Sequence, residues 1–213
     1  MPVWGTVSGK IALHAGLLIA TGRIDLDTVR MTLDPSLPVS AVDVPVARKL
    51  GVSVDVRTPQ DLPRDREIGL GTHAARLRRV VVDPALASGM AVGTDILRLM
   101  PVAIDLRGWR MTSGSWRDLP VLTARMHPVH ATVTDDHCLA IDATDANGQP
   151  LRVALVGKPL GTSPRVAIRL GDVAMAATTG SPTCPSSQAQ IDWSSLTGHR
   201  IVFDLKDERV WID

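Results

Sequence analysis

Aromatic residues are scarce: tyrosine is absent, phenylalanine occurs once and tryptophan five times. The interior must therefore be built from Val, Leu, Ile and Ala, with little ring stacking. Charge of one sign is lacking too. A formal net charge of +1 leaves no electrostatic footprint for nucleic acid, so no nucleic-acid partner is expected. The longest apolar run near the N-terminus, IALHAGLLIA, is interrupted by His14 and is far too short to span a bilayer, so no membrane partner is expected. No charged region with a cleavage site precedes that run, and no signal peptide is read. Cysteine is limited to Cys138 and Cys184, distant in sequence. That usage suits free thiols in a reducing compartment and predicts a cytoplasmic location, although a secreted form would allow the two to bond.

Cofactor and metal signatures are missing as well. GKPLGTS at 157–163 carries the letters of a phosphate loop in the wrong order, and HExxH does not occur. His127, His130 and His137 with Cys138 read as solvent-facing positions on strands rather than metal ligands. No cofactor and no metal are expected. Arg76, Arg78 and Arg79 read as one solvated strand edge. Thr178-Thr179-Gly180 falls in a segment read as a non-catalytic strand.

What is present is organised around 33–51, LDPSLPVSAVDVPVARKLG. Residues 3–33 read as strands, with turns at Ser8-Gly9 and Thr21-Gly22. Val29, Met31 and Leu33 alternate with polar residues and lead into Asp34, Pro35 and Ser36. A helix is predicted over 43–50, with Asp43 as its N-cap, Pro45 in the first turn and Gly51 at the C-cap. Residues 55–67, DVRTPQDLPRDRE, read as an exposed loop or hairpin tip. Strands are expected again at 68–70 and 77–82.

The stretch at 33–51 resembles the signature of pepsin- and retropepsin-like aspartic proteases, in which an apolar strand meets Asp-Thr-Gly and a helix ending in Leu-Gly follows. Asp34 takes the place of the catalytic Asp, with Pro35 and Ser36 standing for Thr and Gly. A second match lies at 91–113. There Gly93, Asp95, Leu97, Asp105 and Leu106 follow the family pattern in order and spacing, Asp95, Asp105 and Asp204 being structural positions. The resemblance implies an all-β fold of two pseudo-symmetric aspartic-protease-like β-barrel lobes with short helices, including one near 93–100, and a flap in the interval 55–67.

Internal repetition supports two lobes in one chain. Residues 17–34 are echoed by 139–157, residues 68–97 by 167–196, and VAIDLRGWRMT by IVFDLKDERVWI. The expected organisation is an N-terminal lobe over 1–115 with its flap loop at 55–67, a connection over 116–128, and a C-terminal lobe over 129–213 without helix or flap. In this register Asp34 stands opposite Gly157, or opposite Val156 if the turn slips by one, and Lys158 and Pro159 follow.

Aspartic proteolysis needs two carboxylates sharing a proton, and this chain offers one. Asp34 and Lys158 are the candidate catalytic residues, with Lys158 either paired to Asp34 across the cleft or pointing into solvent. Ser36, Gly157, Arg57 and Leu62 are the candidate substrate-binding residues, the groove being floored by Asp34, Ser36 and Lys158 and roofed by 55–67. The expected function is a monomeric, cofactor-free protein that binds an apolar small molecule between the lobes and cyclises or isomerises it by positioning plus one acid. The alternatives are a pseudo-protease that captures an extended peptide by strand addition, and a residual aspartic peptidase.

Overall fold

Alternating burial, the signature of strands with one face in a core, marks many of the strands of the computed structural model, while Met90–Val92, Ala189–Ile191 and most of Arg200–Asp204 are buried on both faces. The structure describes residues 9–71, 73–87, 89–135, 137–157, 164–179 and 184–213. The first half contains β1 (Gly9–His14), β2 (Leu17–Ile24), β3 (Asp27–Leu33), β4 (Ala41–Val42), α1 (Val44–Leu50), β5 (Gln60–Leu70) and β6 (His73–Val82). It continues with β7 (Met90–Val92), α2 (Thr94–Leu97), β8 (Val102–Asp105) and β9 (Arg110–Ser113). After α3 (Leu119–Leu122) come β10 (His127–Val133), β11 (Leu139–Asp145), β12 (Pro150–Leu155), β13 (Arg165–Leu170), β14 (Val173–Thr179) and β15 (Ala189–Ile191). A 3-10 turn, Trp193–Leu196, then leads to β16 (Arg200–Asp204) and β17 (Arg209–Ile212).

Six strands close on themselves in the order β2–β3–β7–β4–β6–β5 and back to β2. Closure removes the unpaired edges that would otherwise invite another strand. Among the described residues the second half repeats the pairing with one strand fewer: β11–β12–β15–β14–β13 returns to β11. There β15 pairs directly with β14, with no described counterpart of β4 between them. A third sheet, β1–β9–β8–β16–β17–β10, joins the two halves. Its central register is symmetric about the pair Ala103↔Val202, flanked by Ile104↔Ile201 and Val102↔Phe203. As the scarcity of aromatics requires, the core is aliphatic apart from the edge-to-face pair Trp193 and Phe203.

Local signals explain the elements nearest the site. The Asp43 side chain accepts from Val46 N, Pro45 lies in the first turn of α1, and Gly51 ends it in the left-handed conformation at φ 78°. That helix forms as the sequence predicts. The expected turn at Thr21-Gly22 does not: both residues lie inside β2, and the reversals fall at Ala15-Gly16 and Asp25-Leu26. Gly22 is there because a Cβ would stand 2.4 Å from the Met31 sulfur and 2.7 Å from the Gly69 carbonyl oxygen. The segment read as a loop over 55–67 is strand from Gln60 onward, with the pairing of β5 to β6 slipping between Asp61 and Arg66. Cys138 and Cys184, expected as free thiols, are joined in a disulfide. No helix among the described residues is long and apolar enough to cross a membrane.

Candidate functional site

Asp34 ends β3 at the point where the strand must turn. Its N–H donates to Val92 O of the parallel neighbour β7 at 2.9 Å, and Leu37 N closes the turn on Asp34 O at 3.0 Å. Pro35 and Ser36 occupy the middle of that turn, residue types that favour it. Three donors then converge on one carboxylate oxygen: Oδ1 accepts from Ser36 N (3.1 Å), Ser36 Oγ (2.5 Å) and, across the two halves, Gly157 N (3.1 Å). Oδ2 takes no hydrogen bond from any described residue. The carboxylate is thus oriented through Oδ1. Gly157 permits this, since a Cβ there would lie 2.5 Å from Asp34 Cα, Cγ and Oδ1. A second bond between the halves lies behind it, where Trp193 Nε1 donates to Leu33 O at 2.9 Å.

The pairing identifies what stands where a second carboxylate would belong. Leu33 pairs with Val92 in β7 and Leu155 pairs with Ile191 in β15, while Asp34 N and Val156 N donate to those same partners. The counterpart of Asp34 is therefore Val156, and Gly157 takes the place of Pro35. The register with Gly157 is corrected by one residue, to the alternative with Val156. The loop between β11 and β12 is one residue longer in either register; the echo of 17–34 by 139–157 sets the whole second hairpin one place too late, on both of its strands.

Beside Asp34 lies a cavity of about 260 Å³. Leu17 and Ile19 of β2, Arg30 and Thr32 of β3, Leu37, Ala41, Asp83, Leu86, Ala91 and Gly157 are among the residues around it. In the second half a disulfide joins the equivalent positions. Ala140 pairs with Ala154 as Ile19 pairs with Thr32, which puts Cys138 at the position of Leu17. Cys184 opens the turn before β15, as Asp83 opens the turn before β7. The two cysteines, with Cα atoms 5.8 Å apart, cluster with Ala154 and Val156. Where the first half keeps two walls apart, the second draws its two walls together covalently.

Of the candidate site residues, Asp34, Ser36 and Gly157 are brought together. Lys158, with Pro159, lies outside the described residues. Arg57 and Leu62 are not among the residues around the Asp34 cavity. Arg57 donates to Val54 O and Val82 O, and Leu62 packs against the core. Nor does any other residue of 55–67 line it; on that side the wall is the turn 83–87. His14, Arg30 and Leu86 were not singled out by sequence. Only Arg30 carried a signal, being in phase with Thr32 and Asp34 on one strand face.

The remaining carboxylates have structural work. Asp95 Oδ1 accepts from Ser40 N and Oγ, and burial pushes its carboxyl above the usual range despite those bonds. Asp25 is held below the usual range, first by the Glu67 N–H and then by Arg66. Asp105 accepts from Arg107 N and Gly108 N, and the fully buried Asp204 pairs with Arg209. His130 lies between Asp142 and Glu208, and His127 beside Asp172. No protein-family model matches this chain, and no curated protein matches it either.

Proposed function

We propose that this chain is a two-lobed, aspartic-protease-like protein that no longer hydrolyses peptides and uses the cavity beside Asp34 to hold an apolar small molecule. The observation that carries the reading is Val156 at the position symmetric to Asp34. A water-activating dyad needs two carboxylates that share one proton, and a valine supplies neither charge nor proton. What remains is one oriented carboxylate whose Oδ2 takes no hydrogen bond from any described residue, in a compartment lined mainly by aliphatic side chains. That combination suits a reaction in which atoms are conserved, a cyclisation or isomerisation. Asp34 takes a proton from one atom of the bound molecule and returns it to another, and the cavity wall fixes the reacting conformation.

Two features favour a small molecule over an extended peptide. The disulfide bridges the second-half positions that correspond to Leu17 and Asp83 of the cavity, and β2 and β3, the strands that meet at Asp34, are paired on both sides and offer no edge for strand addition. A monomer suffices, because both halves of the repeat reside in one chain. No cofactor is invoked. The disulfide also favours an oxidising compartment over the cytoplasm expected from cysteine count alone. The test is a pair of assays on Asp34→Asn and the native chain. Cleavage of a generic protein substrate at acid pH should be absent from both and unaffected by a statine-type inhibitor. Pepstatin-sensitive cleavage that disappears in Asp34→Asn contradicts the proposal.

A further inference from the structure

We infer that the ligand is an elongated apolar carboxylic acid, with a hydrogen-bond-donating head at Asp34 and its carboxylate at Arg30. The inference rests on the small-molecule reading above and names the ligand class. Strand geometry provides the first support. Arg30 and Thr32 of β3 and Asp34 just beyond it alternate along one face, which sets the Cα atoms of Asp34 and Arg30 about 13 Å apart, and all three line the same cavity. Aliphatic groups from Leu17, Ile19, Leu86 and Ala91 lie along that cavity.

Arg30 also lines a second cavity, of about 320 Å³, bounded by the apolar side chains of Ile24, Val29, Pro45, Val46 and Leu50. Arg30, an exposed residue of β3, thus lines both cavities. The other cations of the second compartment are occupied: Lys49 is 2.9 Å from Asp27, and Arg66 is 2.7 Å from Asp25. Arg30 makes no hydrogen bond or ion pair through its side chain with any described residue. A planar fork so placed matches a carboxylate bidentately, whereas Asp34 Oδ2 asks for a donor such as a hydroxyl. A chain of about ten carbons spans the separation, and a longer one continues past Arg30 into the second compartment.

The experiment compares 10-hydroxydecanoate with 1,10-decanediol, a neutral molecule of the same length, by calorimetry on the native chain and on Arg30→Met. The acid should bind the native chain about tenfold more tightly than the diol, and Arg30→Met should erase that preference while leaving diol affinity unchanged. Equal affinity of the two molecules for the native chain overturns the inference, as does a preference that survives Arg30→Met. In both of those cases, diol binding that is lost in Asp34→Ala leaves the small-molecule reading standing. Binding of neither molecule overturns both.

Discussion

At the scale of single residues, the site depends on a close approach that only glycine allows. Gly157 N holds Asp34 Oδ1 from the opposite half, and a methyl group at Gly157 would collide with backbone and carboxylate together. Gly157→Ala should therefore push Asp34 out of place and cost about 1–3 kcal/mol, read as a lower urea midpoint with an unchanged slope. Unchanged stability would mean that the two turns do not meet as described. Asp95 gives a pH-dependent counterpart. Burial raises its carboxyl above 3.8, so the folded state keeps that proton to higher pH than the unfolded chain. The associated stability is complete below 3.8 and is lost as pH rises through the raised value. Asp95→Asn keeps an oxygen for Ser40 and should flatten that loss, so that the variant gains on the native chain as pH rises from the acid range to neutrality. Denaturation curves at several pH values would show it, and parallel curves would refute it.

At the scale of elements, the chain was legible wherever one local signal had one meaning. Asp43, Pro45 and Gly51 each serve the helix that their chemistry predicts. Gly22 misled because a glycine required for close approach is spelled like a glycine required for a turn. The strand from Gln60 was hidden by charge, since QDLPRDREIGL has exposed polar groups on both faces before Ile68. It is held by pairing with β6, by Leu62 packed against the core and by the buried end Ile68–Leu70, while the largely exposed Arg79–Asp61 and Arg78–Asp65 contacts add little. Cys138 and Cys184 were unreadable as a pair because sequence separation carries no information about distance. Their bond closes a long loop, with a sequence separation of 46, and in the chain-entropy description contributes about 4 kcal/mol. Cys138→Ala with Cys184→Ala should lower the free energy of unfolding by an amount of that order. A loss well under 1 kcal/mol would indicate that the cysteines are not bonded in solution.

At the scale of the molecule, repetition is the most informative feature. It is readable in the sequence as paired segments and in the structure as a sheet symmetric about Ala103 and Val202. What repetition does not give is the exact register, because shifting the second hairpin by one residue moves the partner of Asp34 by a place and changes its chemistry from glycine to valine. The halves are tied across the middle by Trp193 Nε1 on Leu33 O. Trp193→Phe leaves that buried carbonyl unpaired and should cost about 1–3 kcal/mol while preserving a single unfolding transition. Two separate transitions in the native chain would contradict the shared central sheet.

One measurement bears on the central claim, that the working part of the molecule is the one-sided cavity beside Asp34. Amide chemical shifts of the isotopically labelled native chain, followed during titration with 1,10-decanediol, report where a neutral apolar molecule settles. The account predicts shifts concentrated at Ser36, Thr32, Ala91 and Gly157, with Cys138, Ala154 and Cys184 in the second half unmoved. Shifts centred on the second half, or spread evenly over both without involving Ser36 and Gly157, would contradict it.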